Sequence, residues 1–273
     1  MNEAKEAAFR RGDSPAADRG AFRSSAFIGR RRSQIPQNGE DHQAGSKVEI
    51  DISNTSEGYF MAKVSKKTSK KLKLRVVTGD TTLNYDLPGS GDFIVVPLQM
   101  GSGKYKVTLY ENTSGKKYAA AGSVTIKAKL TREDGAFLYP NQYVDYDEAT
   151  KAVAYADKLC AGMSPKEAFN AVCTHMKTFS YDYIKAINIK AGMLPDIPGT
   201  WDKRMGVCQD LAAIMCCMLR TQGLPARLVI GYADKGYHAW TVTEINGEDA
   251  FYDPTAALNA ISKPKKYTVE RFY

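Results

Sequence analysis

The sequence has only three histidines, five cysteines and two tryptophans among 273 residues, and it contains no long apolar run. No stretch is long enough to span a membrane, and no apolar signal-peptide core follows Met1. The sequence therefore predicts neither a membrane span nor an export signal. A cytoplasmic protein, or one whose signal has been removed, is the expectation from the residues alone.

The cysteines are odd in number, and none has the C-x-x-C spacing of a zinc or redox site. We therefore expect neither a disulfide framework nor a thiolate metal site. Four of them lie in helical patterns among Ala, Val, Met and Leu, where a cysteine is typically a small buried hydrophobe: Cys160, Cys173, Cys216 and Cys217. The fifth, Cys208, has different surroundings.

Basic residues outnumber acidic ones by 38 to 30, which gives a formal net charge of +8. Such a balance raises the hypothesis of nucleic-acid binding. Much of the excess, however, belongs to arginines in the first segment, including Arg30, Arg31 and Arg32, and no nucleic-acid motif with interleaved aromatics accompanies them. We predict no nucleic-acid partner.

Composition divides the chain into three parts. Residues 1–45, which include His42, are polar and show almost no apolar periodicity, so they are predicted to be a disordered tail. Residues 46–132 consist of short alternating runs separated by turn residues, a pattern typical of an antiparallel β-sandwich of immunoglobulin-like type. Residues 133–273 combine helical patterns with later strands, which predicts an α+β domain.

The α+β domain begins with two predicted helices. Residues 145–161 form the first, and a capping box at Ser164 and Glu167 starts the second. Residues 187–199 contain two glycines and two prolines, and we interpret them as a loop over the site that ends at Trp201.

Cys208 stands out because Gly206 lies just before it and a strongly helical run begins at it. Unpaired N–H groups and the macrodipole at a helix N-terminus favour an anion, so a thiol there ionises more readily and becomes a nucleophile. The same N–H groups could receive the oxyanion of a tetrahedral intermediate. A buried structural thiol is the alternative, and Asp210 is expected to cap the helix rather than to act chemically.

His238 and Asp253 follow Cys208 in the chain, and Asn246-Gly247 suggests a hairpin turn between the strands that carry them. We predict that the two side chains face one another across this hairpin. The histidine could then take the thiol proton while the aspartate fixes its tautomer. Trp240 shares the face of His238 by the period of two and is predicted to shield the pair from water.

Three fragments in this order carry a resemblance to a known family: Gly-Val-Cys-Gln-Asp-Leu-Ala from Gly206, Tyr-His-Ala-Trp from Tyr237 and Asp-Pro-Thr from Asp253. They resemble the transglutaminase-like (transglutaminase core) superfamily of papain-related thiol enzymes, in the bacterial type with an N-terminal β-module. The resemblance covers residues 145–255. It implies a papain-like fold, a transglutaminase-like catalytic domain over 133–273 and an accessory β-sandwich over 46–132.

The resemblance also implies a Cys208-His238-Asp253 triad, a thioester intermediate, a protein or peptide substrate and an extracellular or cell-surface location. Water as the acceptor would make the chain a cysteine peptidase or amidohydrolase, which is the preferred hypothesis. An amine acceptor would make it a protein-glutamine gamma-glutamyltransferase. A non-catalytic binding protein that retains the fold is a further alternative. The chemistry needs no metal or organic cofactor.

Four further residues are weaker candidates for the substrate cleft or for oxyanion stabilisation: Tyr181, Trp201, Gln209 and Trp240. Core packing is the competing interpretation for the three aromatic residues, because large rings are commonly buried for packing alone.

Overall fold

The computed structural model describes residues 42–44, 47–234, 236–260 and 263–273. Most of the predicted disordered tail, residues 1–41, lies outside the described residues. The end of that predicted tail, His42–Ala44, forms a short strand, β1, which pairs antiparallel with the strand after it. The prediction was wrong for these three residues, because joining a strand by backbone hydrogen bonds requires no apolar pattern.

The chain divides into two compact units between Thr150 and Lys151 rather than between residues 132 and 133. Leu138 and Tyr139 explain the difference, because both are buried and pack against Tyr59 and Met61 of the N-terminal unit. Below, the N-terminal unit means residues up to Thr150 and the C-terminal unit means Lys151–Phe272.

The N-terminal unit contains two four-stranded antiparallel sheets, with the orders β1-β2-β3-β6 and β5-β4-β7-β8. The strands after β1 are β2 (Val48–Asp51), β3 (Tyr59–Val64), β4 (Leu72–Thr78), β5 (Thr81–Leu87), β6 (Ile94–Pro97), β7 (Gly103–Ser114) and β8 (Lys117–Ala128). The predicted alternating strands are confirmed. Sequence analysis missed β5, although Leu83, Tyr85 and Leu87 alternate with exposed polar residues and are buried.

Six helices of the C-terminal unit are described: α1 (Lys151–Leu159), α2 (Pro165–Met176), α3 (Tyr183–Asn188), α4 (Ile197–Lys203), α5 (Cys208–Thr221) and α6 (Pro254–Ala257). The capping box that starts α2 is confirmed, since Ser164 and Glu167 each accept a hydrogen bond from the backbone N–H of the other. Within the described part of the chain, no helix is both long and apolar enough to cross a membrane.

The predicted loop over residues 187–199 was wrong, because parts of α3 and α4 fall within it. The side chain of Asp182 accepts from Lys185 N and caps α3, while Asp196 accepts from Gly199 N and caps α4. Pro198 lies in the first turn of α4, where a proline costs no hydrogen bond. Proline and glycine density was therefore misleading here, since proline can also mark a helix start.

Helix α5 is the centre of the C-terminal unit, and every residue from Asp210 to Thr221 is buried. It contacts α1 and α2 as well as strands β11 (Ala226–Ala233) and β12 (Gly236–Ile245). Helices and sheet together surround α5, so it is buried on several sides rather than along a single apolar stripe. A helix packed in this way holds its first residue, Cys208, in a fixed position.

The sheet beside α5 has the antiparallel order β13-β12-β11-β14, with β13 at Glu248–Tyr252 and β14 at Tyr267–Phe272. The predicted hairpin turn is confirmed, since Asn246 and Gly247 have the positive φ angles of 56° and 82° that a type I′ turn requires. A separate two-stranded parallel pair joins β9 (Ser180–Tyr181) to β10 (Met205–Gly206).

Candidate active site

Cys208 is the first residue of α5 and is only partly buried, whereas the other four cysteines are buried. Gly206 makes this position possible, because a Cβ at Gly206 would lie 2.6 Å from Cγ2 of Thr200 and 2.9 Å from Cβ of Asp210. The chain must therefore pass close to α4 just before the thiol. As the first helical residue, Cys208 has a backbone N–H without an intrahelical partner.

Asp210 holds the start of α5 in place. Its carboxylate is fully buried and accepts from Val207 N at 3.0 Å and from Asp196 N at 3.0 Å. The ammonium group of Lys185 lies 2.7 Å from the same carboxylate. The expected capping role is confirmed, and the ion pair with Lys185 adds a contact that sequence analysis missed.

His238 and Asp253 meet through their side chains, with 2.8 Å between Nε2 and Oδ2. The predicted register was wrong, because the β12–β13 pairing sets Thr241 opposite Tyr252, so Asp253 lies one residue beyond β13. The chain turns there into α6, and Asp253 caps this helix by accepting from Thr255 N and Ala256 N at 2.9 and 3.0 Å. The cap orients the carboxylate toward the imidazole.

His238 is also close enough to Cys208 for the thiol to influence the pKa of the imidazole. Nε2 is occupied by Asp253, so a thiol that approached the ring would meet Nδ1. Burial alone would lower the pKa of His238, but the hydrogen bonds and charges of Asp253 and Cys208 raise it to about 9. The imidazole therefore favours the protonated form at neutral pH.

The pKa of the Asp253 carboxyl is shifted in the opposite direction. Burial alone would raise it, but the hydrogen bond and charge of His238, with donors from Ala256 N and the Tyr267 hydroxyl, lower it below its usual value. Asp253 is thus an ionised carboxylate at neutral pH with four hydrogen-bond partners, one of them a side chain that the sequence did not suggest.

Tyr267 is that side chain. Its hydroxyl donates to Asp253 Oδ2 at 2.8 Å, and its ring lies 5.0 Å from the ring of Trp240. The sequence does not reveal this contact, because nothing local indicates that β14 lies beside β11 and that Tyr267 reaches Asp253. Trp240 shares the face of His238, as predicted, with 6.3 Å between ring centroids, and is almost fully buried.

Comparison with known proteins gives one family match. Residues 153–249 match the model of the transglutaminase-like superfamily, and the match lies entirely within the C-terminal unit. The C-terminal unit belongs to the transglutaminase-like superfamily. The matched residues include Cys208 and His238 and end before Asp253. No curated protein matches the chain by sequence.

The chain also matches solved structures at low sequence identity and low TM-score. A proposed cysteine protease from Cytophaga hutchinsonii is 16% identical, covers 79% of this chain and 78% of its own, and has a TM-score of 0.39. The periplasmic domain of TgpA from Pseudomonas aeruginosa is 18% identical, with 83% and 77% covered and a TM-score of 0.38. Red sea bream transglutaminase is 13% identical, with 84% and 50% covered and a TM-score of 0.29.

Two of the weaker candidates in the C-terminal unit, Tyr181 and Gln209, have different contacts. Tyr181 is next to Gly206 in the β9–β10 pair, and burial and the neighbouring Cys208 raise its pKa to about 12. Gln209 donates through Nε2 to Met193 O at 3.2 Å. Both therefore lie beside the thiol.

Trp201 lies in α4 rather than in the predicted loop, and its described contacts form an aromatic cluster. Its ring is 5.6 Å from His175 and 6.0 Å from Phe179, and the Arg204 guanidinium lies 4.3 Å from it. His175 belongs to the same cluster, where burial and Arg204 lower its pKa to about 4. These contacts favour the packing interpretation of Trp201.

Among the residues that the structure describes, no three His, Cys, Asp or Glu side chains are grouped closely enough to hold a metal ion.

Replacing Tyr267 by phenylalanine should destabilise the protein in a pH-dependent way. In the wild type, the Tyr267 hydroxyl stabilises the ionised form of Asp253 by a hydrogen bond. Its removal should therefore lower the free energy of unfolding by about 1–2 kcal/mol at pH 7. The Asp253 contribution is present above the ordinary aspartate pKa near ~4 and is lost as the pH falls through the lower folded-state value. The difference from wild type should therefore shrink toward pH 3 in urea unfolding.

Tyr252→Phe is the matched control for this prediction. Its hydroxyl donates to Cys173 O at 2.9 Å, an uncharged carbonyl, so its cost should not change over the same pH range. An equal cost of Tyr267→Phe at pH 7 and pH 3 would show that the hydroxyl does not act on the Asp253 carboxylate.

Proposed function

We propose that the transglutaminase-like core is a thiol-dependent acyl-transfer enzyme acting on peptide or carboxamide substrates, with water as the acceptor. It would thus be a cysteine peptidase or amidohydrolase. The observation that carries the proposal is the position of His238, which has the Asp253 carboxylate 2.8 Å from Nε2 and lies near enough to Cys208 for the thiol to raise its pKa. A nucleophile, a base and an orienting group in this order are what acyl transfer requires.

In the first half-reaction, the Cys208 sulfur attacks the carbonyl carbon and a carbon–sulfur bond forms. The imidazolium of His238 then gives its Nδ1 proton to the departing nitrogen as the carbon–nitrogen bond breaks, leaving a thioester. In the second, His238 takes a proton from water, whose oxygen attacks the thioester. The carbon–sulfur bond breaks, and the acid product and the free thiol are released.

The oxyanion that forms in each attack needs hydrogen-bond donors. The backbone N–H of Cys208, at the start of α5, is one. We infer that Tyr181 is a second donor, because it pairs with Gly206 in the β9–β10 pair, two residues before Cys208. Gln209 follows the thiol in the chain and would form a wall of the cleft, whereas the buried Trp240 packs near the imidazole.

We further infer that the N-terminal unit is an accessory β-sandwich of immunoglobulin-like type. Two four-stranded antiparallel sheets within one compact unit support this inference, and so does the alternation of buried apolar residues along β4 and β7 in one of them.

The experiment that tests the proposed activity offers both acceptors at once. The full chain is incubated with a library of glutamine-containing peptides and a fluorescent primary amine, and the products are identified by mass spectrometry. We expect cleaved or deamidated peptides. Amine adducts without hydrolysis would replace the hydrolase by a transglutaminase. No product at all, with a Cys208 that is alkylated only after unfolding, would leave a binding protein that retains the fold.

A further inference from the structure

Helix α3 presents its apolar face to solvent. Tyr183, Ile184 and Ile187 share one face by helical spacing and are 61%, 71% and 81% exposed. A surface helix ordinarily directs its apolar stripe toward the core and its charged side chains outward. On α3 the arrangement is reversed, because Lys185 points inward to the buried carboxylate of Asp210.

This reversed orientation is fixed by specific contacts. The Lys185–Asp210 ion pair holds one side of α3 at 2.7 Å, and the Asp182 side chain caps the helix by accepting from Lys185 N at 2.7 Å. The chain after α3 exposes two more apolar side chains, Ile189 and Met193. We name these five exposed residues the apolar rim: Tyr183, Ile184, Ile187, Ile189 and Met193.

Both ends of the apolar rim are attached to residues that flank Cys208. Before α3, Asp182 N donates to Gly206 O at 3.0 Å. At the other end, Gln209 Nε2 donates to Met193 O at 3.2 Å. The segment that carries the rim is therefore held by hydrogen bonds on both sides of the partly exposed thiol, and exposed apolar side chains grouped in this way commonly mark a binding site.

We propose that the apolar rim binds apolar side chains of a peptide or protein substrate, on residues that flank the carbonyl attacked by Cys208. This inference rests on the proposed function, since it names the substrate class of that site. The charge of the segment favours a peptide over a lipid surface. A membrane-binding helix carries cations on its free polar face, whereas Lys185 is paired internally and Lys190 is the other charged residue of segment 183–193.

Two covalent probes test the proposal without knowledge of the natural substrate. Both are hexapeptides with a chloroacetamide electrophile on a central residue, flanked on each side by leucine in one and by serine in the other. The rate of Cys208 labelling is measured by mass spectrometry. We expect the leucine probe to react about tenfold faster or more, the discrimination that one or two apolar contacts provide.

The double variant Ile184→Ser/Ile187→Ser should reduce that preference to near unity, whereas Ile187→Leu should keep it. Met163→Ser is the matched control, because Met163 is an exposed residue of the same unit that lies between α1 and α2, and it should leave the preference intact. Both isoleucines are largely exposed, so serine at these positions removes little buried contact.

Four results would overturn the inference. The first is equal reactivity of the two probes in the wild type, and the second is an unchanged preference in the double variant. The third is an absence of probe preference in the wild type together with binding to phosphatidylcholine–phosphatidylglycerol vesicles that the double variant loses. The fourth is the same absence together with a dimer, seen by light scattering, that the double variant loses. Iodoacetamide separates the two proposals. If it labels native Cys208 while the probes do not differ, only the rim proposal fails; if native Cys208 resists it, the proposed function fails.

Discussion

Alanine in place of Cys208 should reduce native-state iodoacetamide labelling from one thiol per chain to none and abolish acyl transfer. The other four thiols are buried, and burial raises the pKa of Cys160 and Cys216 to about 11 and that of Cys173 to about 12. Only Cys208 combines exposure with a cationic partner. Loss of a nucleophile of this kind costs at least about 10⁴-fold in turnover.

The pH range in which this labelling is observed follows from His238. Its pKa is raised to about 9, so its protonated form, and the stability that it contributes, is fully present below the ordinary value near ~6.5 and is lost as the pH rises through 9. We expect labelling of the wild type at pH 6 to 7, where the His238 imidazole is protonated.

Cys173→Ala serves as the control, because it removes a buried thiol within α2 of the same unit and should leave labelling and turnover unchanged. Labelling of two or more thiols in the folded wild type, or turnover that survives in Cys208→Ala, would contradict the proposed role of Cys208.

The residues brought together around the thiol were predictable where their signals are local in the chain. Gly206 before a helical run placed Cys208 at a helix start, and Asn246-Gly247 placed His238 and Asp253 on a hairpin. The pairing register of β12 and β13 could not be predicted from these local signals. Alternation ends where a strand ends, and nothing in the pattern shows that Asp253 leaves β13 to cap α6.

Contacts between distant segments had no comparable signal. Tyr267 reaches Asp253 because β14 pairs with β11, and Lys185 reaches Asp210 because α3 lies beside the start of α5. Periodicity describes one element at a time, so it cannot identify such pairs. The α3 and α4 helices are a different case, because their capping residues Asp182 and Asp196 were present in the sequence but were outweighed by nearby glycine and proline.

Asp210→Ala should cause the largest loss of stability among single substitutions near the site. The substitution removes three partners at once, since the buried carboxylate accepts from Val207 N and Asp196 N and pairs with Lys185. Breaking a buried ion pair by removing one partner typically costs about 3–5 kcal/mol. Because the Lys185 side chain keeps 22% exposure and can regain some hydration, we expect a value near the lower end, about 3 kcal/mol, in urea unfolding at pH 7.

Asp202→Ala is a matched control, since Asp202 also lies 2.7 Å from a lysine, Lys151, but with 56% of its side chain exposed. An exposed pair of this kind contributes at most about 1 kcal/mol, and salt should screen it while leaving the Asp210 effect almost unchanged. Asp210→Ala should also slow iodoacetamide labelling of Cys208, because Val207 N loses the acceptor that fixes the first turn of α5. Similar costs for the two alanine variants, or an unaltered labelling rate in Asp210→Ala, would mean that the position of the thiol is set by helix packing rather than by this carboxylate.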